Sequence, residues 1–259
     1  MNRTDLTAPV AVFDSGVGGI SVLKELAAVL PRENFWYFGD SANAPYGTKS
    51  IEEIRSLTCR SIRRMIEGGA KAVVIACNTA TSAAAEILRE EYTHLPIIGI
   101  EPALKPAAMS HEHSRVLVMA TPATLKLKKF NDLMHHYEDR AQTFILPCPR
   151  LVELIELGEL ESPEMYEYLR GLLADFIEHP VDSVVLGCTH FPFAKKALRD
   201  ILGDHVQFFD GGAGTARQLK RQLEKWELVN PSAEPGRIVF DTSRPSEEEL
   251  ALCRRLFAL

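Results

Sequence analysis

The tightest constraint on this chain lies in its uninterrupted apolar runs. VAVF (10–13) and AVVIA (72–76) contain no polar side chain, and SVVLG (183–187) contains only its leading serine. A strand with one wet face alternates apolar and polar residues. A strand that is apolar throughout is covered on both faces, the condition of a parallel sheet with helices above and below it. Further strands are expected at FWYF (35–38), IIGI (97–100), RVLVMA (115–120), QTFIL (142–146), VQFF (206–209) and RIVF (237–240). Helical patterns fill the intervals. Ser50 with Glu53 reads as a capping box, Ile54, Leu57, Ile62, Met65 and Ile66 recur at helical spacing, and Gly68-Gly69 ends the segment. Ser246 with Glu249 opens a C-terminal helix in the same way. This alternation predicts a doubly wound α/β architecture.

A repeat sharpens the expectation. VVIACNTAT (73–81) and VVLGCTHFP (184–192) each carry a buried strand to a cysteine, Cys77 and Cys188, followed at once by hydroxyl and polar residues. Upstream, VAVF leads to Asp14-Ser15 and RVLVM leads to Thr121, each before a helix. The 259 residues are enough for two moderate domains. Two similar α/β units would set their functional edges at the carboxyl ends of strands, where such sheets bind ligands. Facing one another, they would bring both cysteines to one cleft.

Composition narrows the partners. A net charge of −6 offers no attraction to nucleic acid or an anionic membrane surface. No apolar run is long enough to span a bilayer, and MNRTDLTAPV lacks the apolar core of a signal peptide, so a cytoplasmic protein is expected. Five cysteines, an odd number without a CxxC pair, fit reduced thiols. Cys188 and His190 would share one strand face, but four zinc ligands are not visible, and no metal is expected.

Individual residues divide into candidates and background. FDSGVGG (13–19) opens a helix after the first strand, yet Ser21 stands where a dinucleotide loop needs its third glycine. Asp14 is either a helix cap or a carboxylate at the functional edge. In GDSANAPYGTKS (39–50), Asp40, Tyr46 and Gly47 are candidates for lining the cleft, against the alternative of a surface turn. Asn78 and Thr79 follow Cys77, and Thr189 and His190 follow Cys188, with Pro192 suited to a first helical turn. A thiol at a helix N-terminus is expected to have a lowered pKa. Cys59 shares a helical face with Ile62 and Ile66 and reads as core, and Cys148 and Cys253 lack the strand-end setting.

Two matched thiols limit the chemistry. The phosphatase pattern C-x5-R fails at both, since Ala83 and Ala194 occupy the arginine position. A redox dithiol is unusual across two half-domains. Inverting a stereocentre at a C–H bond needs two acid/base groups on opposite faces of one small substrate, one deprotonated and one protonated. Such a pair titrates as a coupled system.

FDSGVGG, GDSANAPYG, ACNTATS and GCTHFP, in this order and spacing, closely resemble the signature segments of the glutamate racemase family, within the aspartate/glutamate racemase superfamily. The resemblance runs from about Val10 to Gly212. It implies two similar α/β domains across a cleft, residues 1–99 with 211–259 and residues 100–210, the tail packing back on the first. It implies a racemase without pyridoxal phosphate, metal or nucleotide, often a homodimer, supplying D-glutamate for peptidoglycan. Cys77 and Cys188 become the catalytic pair, and Asp14-Ser15, Tyr46-Gly47, Asn78-Thr79 and Thr189-His190 the substrate contacts. Asp14 and His190 match positions that assist the two thiols, and Asp40 matches a family carboxylate. An assisting glutamate follows the family's CP-x-x-V segment; in CPRLVELIE the match by spacing is Glu156, with Glu153 as rival. VMATPATLKLKKF departs from the usual glycine-containing version, leaving Thr121 and Thr124 without an assigned role. The motifs contain no arginine or lysine. The carboxylates of a glutamate would therefore fall to backbone N–H groups and to Ser15, Asn78, Thr79, Thr121 and Thr189, with the ammonium near Asp14.

Overall fold

The computed structural model describes residues 5–110, 114–126, 128–137 and 139–259. Residues 1–4 of the N-terminal stretch and Leu127 of the VMATPATLKLKKF segment lie outside it. Each of the nine expected strands forms, with ends shifted by at most two residues. They are β1 (Val10–Asp14), β2 (Phe35–Gly39), β3 (Ala72–Ile75), β4 (Ile97–Gly99), β5 (Ser114–Ala120), β6 (Ala141–Pro147), β7 (Ser183–Leu186), β8 (Gln207–Asp210) and β9 (Ile238–Thr242).

They build two parallel sheets, one in the order β4-β3-β1-β2-β9 and the other in the order β6-β5-β7-β8. The uninterrupted apolar runs are the reason. In β1, Val10 and Val12 enter the core on one face of the first sheet, and Ala11 and Phe13 enter the core on the other. In β5, Leu117 and Met119 point to one core of the second sheet, and Val116 and Val118 to its opposite. Burying each Val, Leu or Phe contributes about 1.5–3 kcal/mol, so both faces must stay covered.

The chain direction gives both sheets the same switch point. From β1 the chain moves outward to β2 and returns to the far side of β1 as β3; from β5 it moves to β6 and returns as β7. Asp14 ends β1 and Cys77 lies two residues past β3; Thr121 follows β5 and Cys188 lies two residues past β7. The sequence repeat is thus a repeat of position, at the place where doubly wound sheets bind ligands. Beyond Gly212 the chain returns to the first sheet: β9 pairs with β2, and helices Gly212–Lys225 and Glu247–Ala258 pack on helix Ile20–Val29.

Half of each expected capping box forms. Ser50 Oγ accepts from Glu53 N at 3.2 Å and Ser246 Oγ from Glu249 N at 3.1 Å. The glutamates turn elsewhere, Glu53 to Lys49 and Glu249 to the Thr242 hydroxyl. Among the described residues no helix is long and apolar enough to cross a membrane. All five cysteines are free.

Candidate active site

Asp14 is fully buried and does not cap a helix. The following helix starts at Ile20 behind Gly19, with no side-chain cap. Instead Asp14 Oδ1 accepts from Gly16 N at 3.0 Å, and Oδ2 accepts from Thr189 Oγ1, on the second sheet's loop, at 3.0 Å. Burial pushes its carboxyl up to about 6, against the pull of the His190 charge and the two hydrogen bonds.

The glycines beside it leave room for side chains rather than for a phosphate. A Cβ at Gly16 would collide with Glu156 Oε1, and one at Gly18 with the His190 ring. The Glu156 carboxylate reaches this loop and accepts from Val17 N at 2.9 Å. Gly16→Ala is therefore expected to destabilise the fold by about 1–3 kcal/mol through overpacking. Because the displaced group is Glu156, activity should also fall by about ten-fold or more. Chemical denaturation and rate assays on one preparation check both, and a variant with wild-type values contradicts the packing described.

Cys77 is the N-cap of helix Asn78–Glu91, its Sγ accepting from Ala80 N at 3.5 Å with Ser15 Oγ also 3.5 Å away. The expected lowering of its pKa does not follow. Burial raises it to about 12, reinforced by the Asp14 charge, and the Ser15 and Ala80 contacts recover only part. Cys77 is a thiol at neutral pH. A charge on Cys188 also raises the Cys77 pKa, so the two sulfurs sit within electrostatic reach of each other.

Cys188, half-buried, departs from the expectation in another way: no helix starts at it. A 3-10 turn, Phe191–Ala194, with Pro192 in its first turn, intervenes before helix Lys195–Leu202. Its neighbour is a side chain. His190 Nδ1 lies 3.6 Å from Cys188 Sγ, and His190 Nε2 lies 2.6 Å from Glu156 Oε1. Burial alone would push the buried imidazole's pKa down, but the Cys188 and Glu156 contacts outweigh it and hold the ring well above its usual value. Protonated, the ring donates from both nitrogens. Glu156 supplies this contact, whereas Glu153 is exposed on the same short helix, Leu151–Glu156.

The remaining candidates line the same edge. Thr79, Thr121 and Thr124 converge from both sheets, with hydroxyl oxygens 2.9–3.4 Å apart. Gly47 backs onto Thr121. The oxygens of Asp40 are taken by Tyr46 Oη at 2.6 Å and Asn43 Nδ2, so Asp40 orders the loop that carries Tyr46 and Gly47. Asn78 is buried, and its Oδ1 has no hydrogen-bond partner. Among the described residues no group of three His, Cys, Asp or Glu side chains is placed to hold a metal ion.

The family model for Asp/Glu/hydantoin racemases matches residues 19–219. This chain belongs to that family. A glutamate racemase of Clostridium acetobutylicum is 49% identical over 251 residues, 97% of this chain and 98% of that protein. The Escherichia coli glutamate racemase, solved with L-glutamate and the activator UDP-MurNAc-Ala, superposes with a TM-score of 0.84 at 31% identity, covering 96% of this chain and 95% of that one. The Francisella tularensis glutamate racemase, solved with D-glutamate, superposes at 0.83 with 27% identity, covering 98% and 95%.

Within this racemase two groups lie outside the sequence-predicted site: one fastens the second sheet's loop to the first, and the other braces the glycine loop within the first sheet's own side. Ser21 Oγ donates to Thr189 O at 2.7 Å, and Tyr37 Oη donates to Gly16 O at 2.5 Å. Ser21 was visible as the residue that spoils a dinucleotide loop. Tyr37 lay within an apolar run and carried no signal.

Proposed function

We propose that the protein interconverts L- and D-glutamate by a two-base mechanism in which Cys77 and Cys188 address opposite faces of the α-carbon. One sulfur, as thiolate, takes the α-proton. The other, as thiol, delivers its proton from the far side, so each turnover inverts the centre and exchanges the roles of the two groups. The observation that carries this reading is the equivalence of the two cysteines. They stand at the switch points of two sheets joined edge to edge by the Asp14–Thr189 bond.

The surroundings differ in a useful way. Cys77 is held as a thiol by burial and the Asp14 charge. Cys188 has an imidazolium beside it, backed by Glu156, able to take up or supply a proton. In this reading the threonine hydroxyls, Ser15, Thr189 and the N–H groups at the start of helix Asn78–Glu91 receive the carboxylates, and Asp14 and the free Asn78 Oδ1 receive the ammonium. These fixed dipoles also stabilise the charge that grows as the proton leaves.

Solvent deuterium appearing at the α-position of L-glutamate, together with D-glutamate, tests the reading. Tight glutamate binding without exchange would mark a binding module instead. A dinucleotide oxidoreductase is disfavoured because Glu156 and His190 cover the glycine loop that would hold the pyrophosphate. Aspartate, turned over as fast as glutamate, would broaden the substrate class. Supply of D-glutamate to peptidoglycan belongs to the same proposal, as does a cytoplasmic setting, supported by five free cysteines. A homodimer rests on the family resemblance, and sedimentation decides it.

A further inference from the structure

We infer that Ser21 is a positioning residue for the proton transfers at Cys188, an inference that rests on the two-thiol reading above. Ser21 lies in the first turn of helix Ile20–Val29, on the first sheet's side. Its hydroxyl bond to Thr189 O spans 168 residues of sequence.

The stretch it holds is otherwise fixed at its two ends and through the His190 ring, which Glu156 holds at 2.6 Å. His190 O also accepts from Phe193 N at 3.0 Å. Between β7 and the 3-10 turn, Cys188, Thr189 and His190 form no ladder. Backbone bonds fasten its ends, Gly187 N to Met119 O at 2.8 Å and Phe191 N to Cys188 O at 3.1 Å. In the middle, Thr189 is clamped twice from the first sheet: its carbonyl by Ser21 and its hydroxyl by Asp14. Cys188 sits on one side of that clamp and His190 on the other. Ser21 touches neither reacting sulfur. Its removal frees the Thr189–His190 peptide, and Cys188 Sγ and the imidazole move with it. Cys77 keeps its own N-cap bond to Ala80 and does not move. Loss of Ser21 therefore damages one of the two proton transfers.

Rates with α-protiated and α-deuterated L- and D-glutamate, for Ser21→Ala and Ser21→Thr, test this. In Ser21→Ala, kcat should fall about ten-fold while KM changes less than about two-fold, as a misplaced catalytic group requires. Ser21→Thr, which keeps the hydroxyl, should restore most of the rate. The primary isotope effect on kcat should grow for the enantiomer whose α-deuteron Cys188 removes. It should shrink for the other enantiomer, where the slow step becomes delivery of a solvent proton by Cys188. The folded fraction cancels from an isotope effect, so mere loss of fold leaves both values in place. An unchanged kcat, isotope effects that stay put or move together, or failure of threonine to rescue each overturns the inference. A wild-type enzyme inert toward both enantiomers would instead remove the two-thiol reading itself.

Discussion

Cys77→Ala and Cys188→Ala are each expected to lose racemisation by about 10³-fold or more, the scale of removing a positioned acid or base. The losses should be complementary in one respect and identical in another. Enantiomers have an equilibrium constant of one, so kcat/KM for L-to-D and D-to-L conversion must remain equal in any variant. Residual racemisation must therefore fall equally in both directions. Exchange of the α-proton with solvent is free of that constraint, because the surviving sulfur can remove a proton from its own face and return it there. Each single variant should exchange one enantiomer slowly and leave the other untouched, with opposite preferences for Cys77→Ala and Cys188→Ala. Proton NMR in deuterium oxide reads this directly. If both variants exchange the same enantiomer, or either still racemises at the wild-type rate, the sulfurs do not flank the α-carbon from opposite sides.

That experiment also bears on the unequal surroundings of the pair. Cys77 is enclosed and held as a thiol; Cys188 is half-buried beside a charged imidazole. The variant that keeps Cys188, with its proton relay intact, should exchange faster than the variant that keeps Cys77.

The strands and the two cysteines were legible because their information is local. An apolar run long enough for a strand announces burial on both faces, and two such runs ending at Cys-Asn-Thr and Cys-Thr-His announce equivalent positions. What the sequence could not show was burial around a particular atom and contact across long separations. A helix N-terminus lowers a thiol's pKa in open surroundings, but Cys77 is enclosed by Ser15, Asp14 and its own helix, and desolvation wins. At Cys188 the pattern looked the same, yet Pro192 sits in a 3-10 turn that postpones the helix to Lys195. The glycines of FDSGVGG had the look of an anion loop. Two of them answer to side chains far along the chain: the Glu156 carboxylate, which bonds Val17 N from 139 residues away, covers Gly16, and the His190 ring covers Gly18. Spacing favours Glu156 over its rival Glu153 in the sequence, and the helical turn between them points Glu153 outward and Glu156 at His190.

Asp14→Asn should separate stability from activity. The wild-type carboxyl titrates at about 6 in the folded protein, against an ordinary value of 3.8 that serves for the unfolded chain. Its folded pKa is raised, so the folded state holds the proton more tightly. Its contribution is most favourable below about pH 4, declines as pH rises toward 6, and stays constant above that. By linkage the difference amounts to about 3 kcal/mol at pH 7, at 1.36 kcal/mol per pH unit. Asparagine keeps the shape: Oδ1 can still accept from Gly16 N, and Nδ2 can donate to the Thr189 hydroxyl. The variant should therefore be more stable than wild type at pH 7 by up to about 3 kcal/mol, with the gap narrowing as pH falls toward 5. Racemisation should meanwhile drop by about 10²-fold or more, since the variant lacks the carboxylate proposed to receive the ammonium and to sit beside Cys77. The rise in stability with loss of rate is what a charge buried for function, at a cost to the fold, produces. Urea unfolding of both proteins at pH 5, 6 and 7 measures the gap. A gap independent of pH, or an asparagine variant less stable at pH 7, would show that the Asp14 carboxylate is not held against its own desolvation.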